Sequence, residues 1–169
     1  HSGGNNKWGI RGTGGTIIQD NSFSDLRWGA YCDGSNTVIK NNDFLNINEY
    51  GIDIYSGNNT VVAENNIVLD GSNSFGLKFR SSNISNVYNN TIASHYPENR
   101  SGTGIRVEDN AHPMLNSNIV YGYNIGIDAA SDVYVLKFNL TNEVNTHLQG
   151  DGLPDQAGVI ATVNNNADP

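Results

Sequence analysis

A bulky residue, a glycine and a small or aliphatic residue recur along this chain at nearly even spacing, and that recurrence limits its possible folds more than any other feature. The series runs Trp8-Gly9-Ile10, Trp28-Gly29-Ala30, Tyr50-Gly51-Ile52, Phe75-Gly76-Leu77, Thr103-Gly104-Ile105 and Ile125-Gly126-Ile127, with the glycines 20, 22, 25, 28 and 22 residues apart. Between these triplets runs a second series of apolar residues leading into asparagines: TIIQDNSF from Thr16, TVIKNNDF from Thr37, TVVAENNI from Thr60, NVYNNTI from Asn86 and MLNSNI from Met114. A repeat of this length marks a solenoid, in which one supersecondary unit buries its apolar face only by stacking on the next.

Each repeat holds short β-branched and aliphatic runs broken by Gly and Asn, with no window of helical period. GIDIYSG, GLKFRSS and GIRVEDN alternate apolar and polar residues, which is the period-two pattern of a strand with one face in and one face out. Room for about three short strands per repeat lets each turn coil once and lay its strands parallel on those of the turn before. The expected fold is therefore all-β: a single-stranded parallel β-helix of six to seven turns of roughly 22 residues. It is read as one domain over 1–169, with an entry segment at 1–7, regular coils over 8–140 and an irregular coil over 141–169. The ending in NNNADP is read as a place where more chain, or a neighbouring subunit, covers the last coil.

Aligning the turns on Phe23, Phe44, Ile67 and Ile92 stacks Asn21, Asn42, Asn65 and Asn90 at one bend. Amides stacked at the strand spacing of roughly 4.8 Å both donate and accept along such a row and so satisfy the bend. Carried into the fifth and sixth turns the alignment gives Ser117 and Phe138, so the ladder is expected to fade toward the C-terminus.

The pattern resembles the right-handed parallel β-helix repeats of the pectate lyase-like superfamily, which includes carbohydrate-active enzymes, adhesins and tailspikes. The resemblance covers roughly Trp8 to Leu140. It implies a right-handed coil, an Asn ladder between the second and third strands of each turn, and substrate contacts on the outer face of the first strand.

That outer face carries two columns of side chains: Arg11, Tyr31, Asp53, Lys78, Arg106 and Asp128 in one, Asp33, Tyr55, Arg80 and Glu108 in the other. Resemblance to the polysaccharide lyases of the superfamily casts Lys78, Arg80 or Arg106 as a catalytic base, with Asp53, Glu108 or Asp128 holding calcium. A base of that type needs a strongly lowered pKa, and the neighbouring carboxylates push the other way. Mixed-sign columns are equally what stacked strands need to stay soluble and in register. As a sugar-binding surface the face offers Tyr31, Tyr55, Asp53 and Glu108, and the insertion ASHYPENRSGTG, from Ala93, adds His95 and Tyr96 in an overhanging loop, with Glu98 and Arg100 beside them.

Other motifs carry less. GDGLPD, from Gly150, matches half of a calcium loop through Asp151 and Asp155, but His147, Gln149 and Gly158 stand where further ligands belong, so it reads as a turn with calcium as a weak option. No histidine or cysteine spacing suits zinc. Cys32, two residues after Ala30, reads as a small buried apolar residue. Five Asn-x-Ser/Thr sequons, at Asn58, Asn83, Asn89, Asn99 and Asn139, are about what this composition gives by chance.

A net charge of -8, from nine basic against seventeen acidic residues, disfavours nucleic acid as a partner. No stretch approaches the roughly 20 apolar residues of a membrane span. Only 15% of residues are charged, so Asn, Ser, Thr and Gly supply the polarity, a composition suited to a secreted or cell-surface protein. The expected function is that of an extracellular, non-catalytic module: structural, adhesive, or filament-forming through end-to-end stacking. The alternative is a polysaccharide-active enzyme or glycan-binding module working through the outer face of the first strands.

Overall fold

The computed structural model describes residues 7–56, 60–63, 67–70, 75–81, 85–94, 101–133 and 135–152. Among the described residues there are seventeen strands. The first nine are β1 (Trp8–Thr13), β2 (Ile17–Gln19), β3 (Ser22–Asp33), β4 (Val38–Lys40), β5 (Asp43–Ser56), β6 (Thr60–Ala63), β7 (Ile67–Asp70), β8 (Phe75–Phe79) and β9 (Ser85–Tyr88). They are followed by β10 (Thr91–Ser94), β11 (Thr103–Val107), β12 (Met114–Asn116), β13 (Ile119–Tyr121), β14 (Ile125–Ala129), β15 (Val135–Lys137), β16 (Leu140–Asn142) and β17 (Thr146–Gln149).

Strands pair in parallel with those one coil away, for example β1 with β3 and β11 with β14. The second strands of successive coils form a six-stranded sheet, β2-β4-β6-β9-β12-β15. First and third strands belong to an 11-stranded sheet, because β3 and β5 run unbroken from the third strand of one coil into the first strand of the next. The pairing of β14 with β17 matches Leu148 to Ile127 and Gln149 to Asp128, so regular stacking continues past Leu140, where the sequence placed its end.

Alternation builds the core. Ile10, Ala30, Ile52, Leu77, Ile105, Ile127 and Leu148 are successive register partners along the first-strand stack, and Gly12, Cys32, Ile54, Phe79, Val107 and Ala129 form a second inner row. From Ala30 to Ile127 and from Cys32 to Ala129 these side chains are fully buried. Burial of each large aliphatic contributes about 1.5–3 kcal/mol. Cys32 is among them, and burial pushes its thiol up to about 12, so it is a packing residue.

The repeating glycine sits where each coil turns into its first strand, and what it supplies is space. A Cβ on Gly29 would come 2.6 Å from Phe44 Cδ1, one on Gly9 2.8 Å from Leu26 Cδ1 and one on Gly126 2.9 Å from Thr141 Cγ2. The carbonyl oxygens of the next coil, Gly29 O for Gly9, Gly51 O for Gly29 and His147 O for Gly126, come closer still, so backbone and third-strand side chains together leave no room for a methyl group.

The bend between second and third strands is uniform. Asp20, Asn41, Asn89, Ser117 and Phe138 all adopt the left-handed conformation, with φ between 52° and 56°, and the residue after each is an asparagine. Asn21 donates from its backbone N and Nδ2 to Asn42 Oδ1, both at 3.1 Å. The same pattern links Asn90 to Asn118 at 3.2 and 2.9 Å, and Asn118 to Asn139 at 3.0 and 2.8 Å. Nδ2 of Asn42, Asn118 and Asn139 also donates to the carbonyls of Ile18, Val87 and Leu115.

The ladder therefore does not fade as the alignment suggested. Its later members are Asn118 and Asn139, while Ser117 and Phe138 occupy the preceding bend position. The pairing explains the one-residue slip: Ile92 faces Val120 and Val120 faces Thr141, so Ile119 and Leu140 lie one position off the inner row. The third-coil anchor shifts likewise, since Phe44 pairs with Val68 and not with Ile67; Asn65 itself lies outside the described residues.

Candidate functional site on the outer face of the first strands

Strand register places Arg11, Tyr31, Asp53, Lys78, Arg106 and Asp128 in one outward column, as the alternation predicted, and extends it by Gln149. The second column is broken at its start: a register shift between Cys32 and Asp33 pairs Asp33 with Ser56 and leaves Tyr55, expected opposite Asp33, as the additional residue of β5. Tyr55 is 40% exposed.

Charges on this face are bound to one another. Asp53 is fully buried and Arg80 closes on it with two hydrogen bonds, Nε to Oδ1 at 3.1 Å and Nη2 to Oδ2 at 2.5 Å. Burial raises the Asp53 pKa. For Arg80 burial works against the cation, but the bonds and charge of Asp53 outweigh it and hold the guanidinium proton more tightly than usual. Lys78 reaches Glu108 at 2.7 Å, Arg106 bonds the same carboxylate at 3.1 Å and also Asp128, and Arg11 pairs with Asp33 at 3.6 Å. Burial lifts the Glu108 carboxyl, but its bonds to Lys78 and Arg106 prevail and leave its pKa below the usual value. Four cations, Arg11, Lys78, Arg80 and Arg106, thus meet four carboxylates, Asp33, Asp53, Glu108 and Asp128.

Beside the charges lies a second row, built from the bulky member of each repeat, which the sequence pattern alone marks only as a repeat signal. Trp8, Trp28, Tyr50 and Phe75 are successive register partners. Their ring centroids are 4.1, 5.1 and 5.7 Å apart, tilted, edge-on and stacked in turn. Tyr31 touches Trp8 and Trp28 edge-on or tilted, at 5.7 and 6.1 Å, and Tyr55 follows it at 6.3 Å. Cations frame the strip: Lys78 lies 5.3 Å from the Tyr50 ring and 5.1 Å from Phe75, Arg80 4.9 Å from Tyr55 and Arg11 5.5 Å from Tyr31. In the later coils the same register positions hold Thr103, Ile125 and Thr146, and the strip stops. Trp8, at its far end, is 46% exposed.

His95, Tyr96, Glu98 and Arg100 lie outside the described residues, as do Asp155 and the sequons at Asn58, Asn83 and Asn99. Asp151 is an exposed turn residue. Among the described residues no group of three His, Cys, Asp or Glu side chains is placed to hold a metal ion, and no helix is long and apolar enough to cross a membrane. Asn139, in the sequon Asn-Leu-Thr, is a buried ladder residue and is closed to modification in the folded chain.

These features place the chain in a class. Residues 8–166 match the family described as right handed beta helix region, and the chain belongs to that family. The match agrees with the resemblance to the pectate lyase-like superfamily and supplies the hand of the coil. No curated protein and no solved structure matches the chain.

Proposed function

We propose that the chain is a non-catalytic β-helix module, secreted or displayed at a cell surface, that adheres to an extended and largely uncharged glycan along the outer face of its first strands. The observation that carries this reading is the aromatic strip of Trp8, Trp28, Tyr50 and Phe75, flanked by Tyr31 and Tyr55. Aromatic faces pack against the apolar faces of sugar rings, and a strip parallel to the coil axis suits a chain-like ligand. The paired charges beside it offer donors and acceptors to hydroxyl groups without a net field.

The same pairing speaks against the lyase reading. Arg80, locked on Asp53, keeps its proton, and Lys78 and Arg106 each spend their charge on carboxylates. A uronate polymer would meet no unneutralised cation in this column, and the chain as a whole is acidic. Adhesion of this kind calls for no calcium.

Affinity electrophoresis through gels containing soluble xylans, glucans, mannans and, for contrast, polyuronates tests the proposal. The expected result is retardation by at least one neutral polymer, weakened about tenfold in Trp8→Ala and further in Tyr31→Ala/Tyr55→Ala. Free migration in every gel, or retardation that all three substitutions leave intact, would refute it.

A further inference from the structure

A cavity of about 460 Å³, lined by Lys7, Asp25, Arg27, Asn48 and Glu49, opens beside the strip at the corners where third strands turn into first strands. Three successive corners build it, entered by Lys7, Arg27 and Glu49 just before the register partners Trp8, Trp28 and Tyr50. Asp25 takes the left-handed conformation, φ 55°, and beyond it the amides of Arg27 and Trp28 both donate to the carbonyl of Lys7, at 3.0 and 3.2 Å. One coil on, Asn46 repeats that conformation, φ 53°, and its Nδ2 donates to Asp25 Oδ1 at 2.7 Å. Asn48 and Glu49 follow on the same corner.

Glu49 joins the cavity to the strip. It accepts from the Trp28 indole Nε1 at 2.8 Å and from Arg27, whose guanidinium lies 5.9 Å from the Trp28 ring. Burial raises this carboxyl, but those two donors more than compensate and keep it ionised. The Trp28 ring is thereby fixed at the boundary, part of the aromatic row and bonded at its edge to the cavity wall.

We infer that this cavity is a sugar subsite that takes one neutral, hydroxyl-rich ring, the terminal unit or side branch of a glycan whose main chain lies on the aromatic strip. The inference rests on the glycan reading and adds a specificity to it. Its chemistry comes from the lining. Lys7, Arg27 and Asn48 donate, Asp25, Glu49 and Asn48 accept, and vicinal hydroxyls, which do both, match such an alternating set. Two cations and two carboxylates leave no net charge, so an anionic ring would gain from Lys7 and Arg27 and lose to Asp25 and Glu49. The volume lies within the range of small-molecule sites of roughly 300–1,000 Å³ and suits a single ring.

The chain contains two tryptophans, Trp8 and Trp28, whose indole N–H signals are followed together in an NMR spectrum of the ¹⁵N-labelled protein; their rings lie 4.1 Å apart, so cavity and strip are told apart by whether the response is lost when the cavity lining is substituted. Titration uses neutral pentoses, hexoses and their methyl glycosides, then glucuronate and galacturonate, then the neutral polymers. The expected result is a saturable shift of the Trp28 signal with at least one neutral sugar, larger than that of Trp8, and loss of that shift in Asp25→Gly/Asn48→Ala. Glycine at 25 suits the positive φ, and both sites are exposed, so the variant keeps the fold, as an unmoved Trp8 signal will show.

No Trp28 shift with any neutral sugar overturns the inference, as does a shift that survives the double substitution or a stronger response to the uronates. A polymer that moves Trp8 alike in the parent and the variant keeps the strip reading alive when the cavity fails. Sugars that move Trp28 in the parent but not in the variant, while no polymer moves Trp8 in the variant, uphold the cavity and sink the strip.

Discussion

The first-strand stack carries two different surfaces on one scaffold. From Trp8 to Phe75 its outer face is aromatic, with Tyr31, Tyr55 and the ion pairs Arg11–Asp33 and Asp53–Arg80 alongside, whereas from Thr103 to Thr146 the equivalent positions are small or aliphatic and the neighbouring column carries the pairs of Arg106 with Glu108 and Asp128, joined to the first half through Lys78. Beneath both halves the inner rows, the corner glycines and the asparagine bends are the same. The fold is thus set from inside, and the outer positions are left free to differ in chemistry from coil to coil.

Three perturbations test that division of labour, and the largest effect should come from within. Asn118→Ala leaves the Asn90 amide and the Val87 carbonyl without their side-chain partners inside the coil, at about 3 kcal/mol. Trp8→Ala, on the surface, should cost less than about 1 kcal/mol. Urea unfolding of both variants gives the comparison, and a Trp8→Ala loss as large as that of Asn118→Ala would break it.

Next come the ion pairs of the later coils. Glu108→Gln weakens the bonds to Lys78 and Arg106 and should cost about 2 kcal/mol at neutral pH. The sign of its pH dependence follows from linkage: the folded-state pKa of Glu108 lies below its ordinary 4.5, so its contribution is present above that value and is lost as pH falls through the folded pKa. The variant should therefore show a flatter acid limb below about pH 4.5. Asp53 works in the opposite direction, since burial raises its pKa above 3.8 and protonation of the folded form relieves part of that cost as pH falls toward 3.8. Stability curves against pH for Glu108→Gln and Asp53→Asn should bend in opposite senses, and parallel curves would contradict the assignment.

The smallest effect sharpens the contrast between the halves. A double-mutant cycle on Tyr50 and Phe75, stacked at 5.7 Å, should give a coupling of about 1 kcal/mol. The cycle on Ile125 and Thr146, at the same register positions further along, should give only about 0.2–0.5 kcal/mol. Equal couplings would mean that the aromatic row is no different from any other stacked pair.

Much of this was legible in the residues. Period-two alternation in GIDIYSG and GIRVEDN assigned the inner rows and the outward column from Arg11 to Asp128, because an extended strand leaves a side chain only two choices. The ladder was placed correctly at Asn21, Asn42 and Asn90 but lost at Ser117 and Phe138, for a physical reason. Alignment by apolar identity assumes that apolar means inward, yet Ile119 is 43% exposed while polar Thr141 is fully buried in the inner row. The aromatic strip was on display at Trp8, Trp28, Tyr50 and Phe75, but its members were read as markers of the repeat and not as a surface. The cavity had no such signal, since it depends on Asp25 and Asn46 turning the chain at corners that a strand pattern does not show.

The uniform bend has an evolutionary consequence. Each described bend between second and third strands holds a left-handed residue followed by an asparagine, and the amides of Asn21, Asn90 and Asn118 each fit the asparagine one coil on, so these coils offer their neighbours the same docking surface. A duplication or deletion of one whole coil would keep all internal contacts and change only where the aromatic strip ends. In such a lineage the reach of the binding surface can be lengthened or shortened one coil at a time, without inventing a new core.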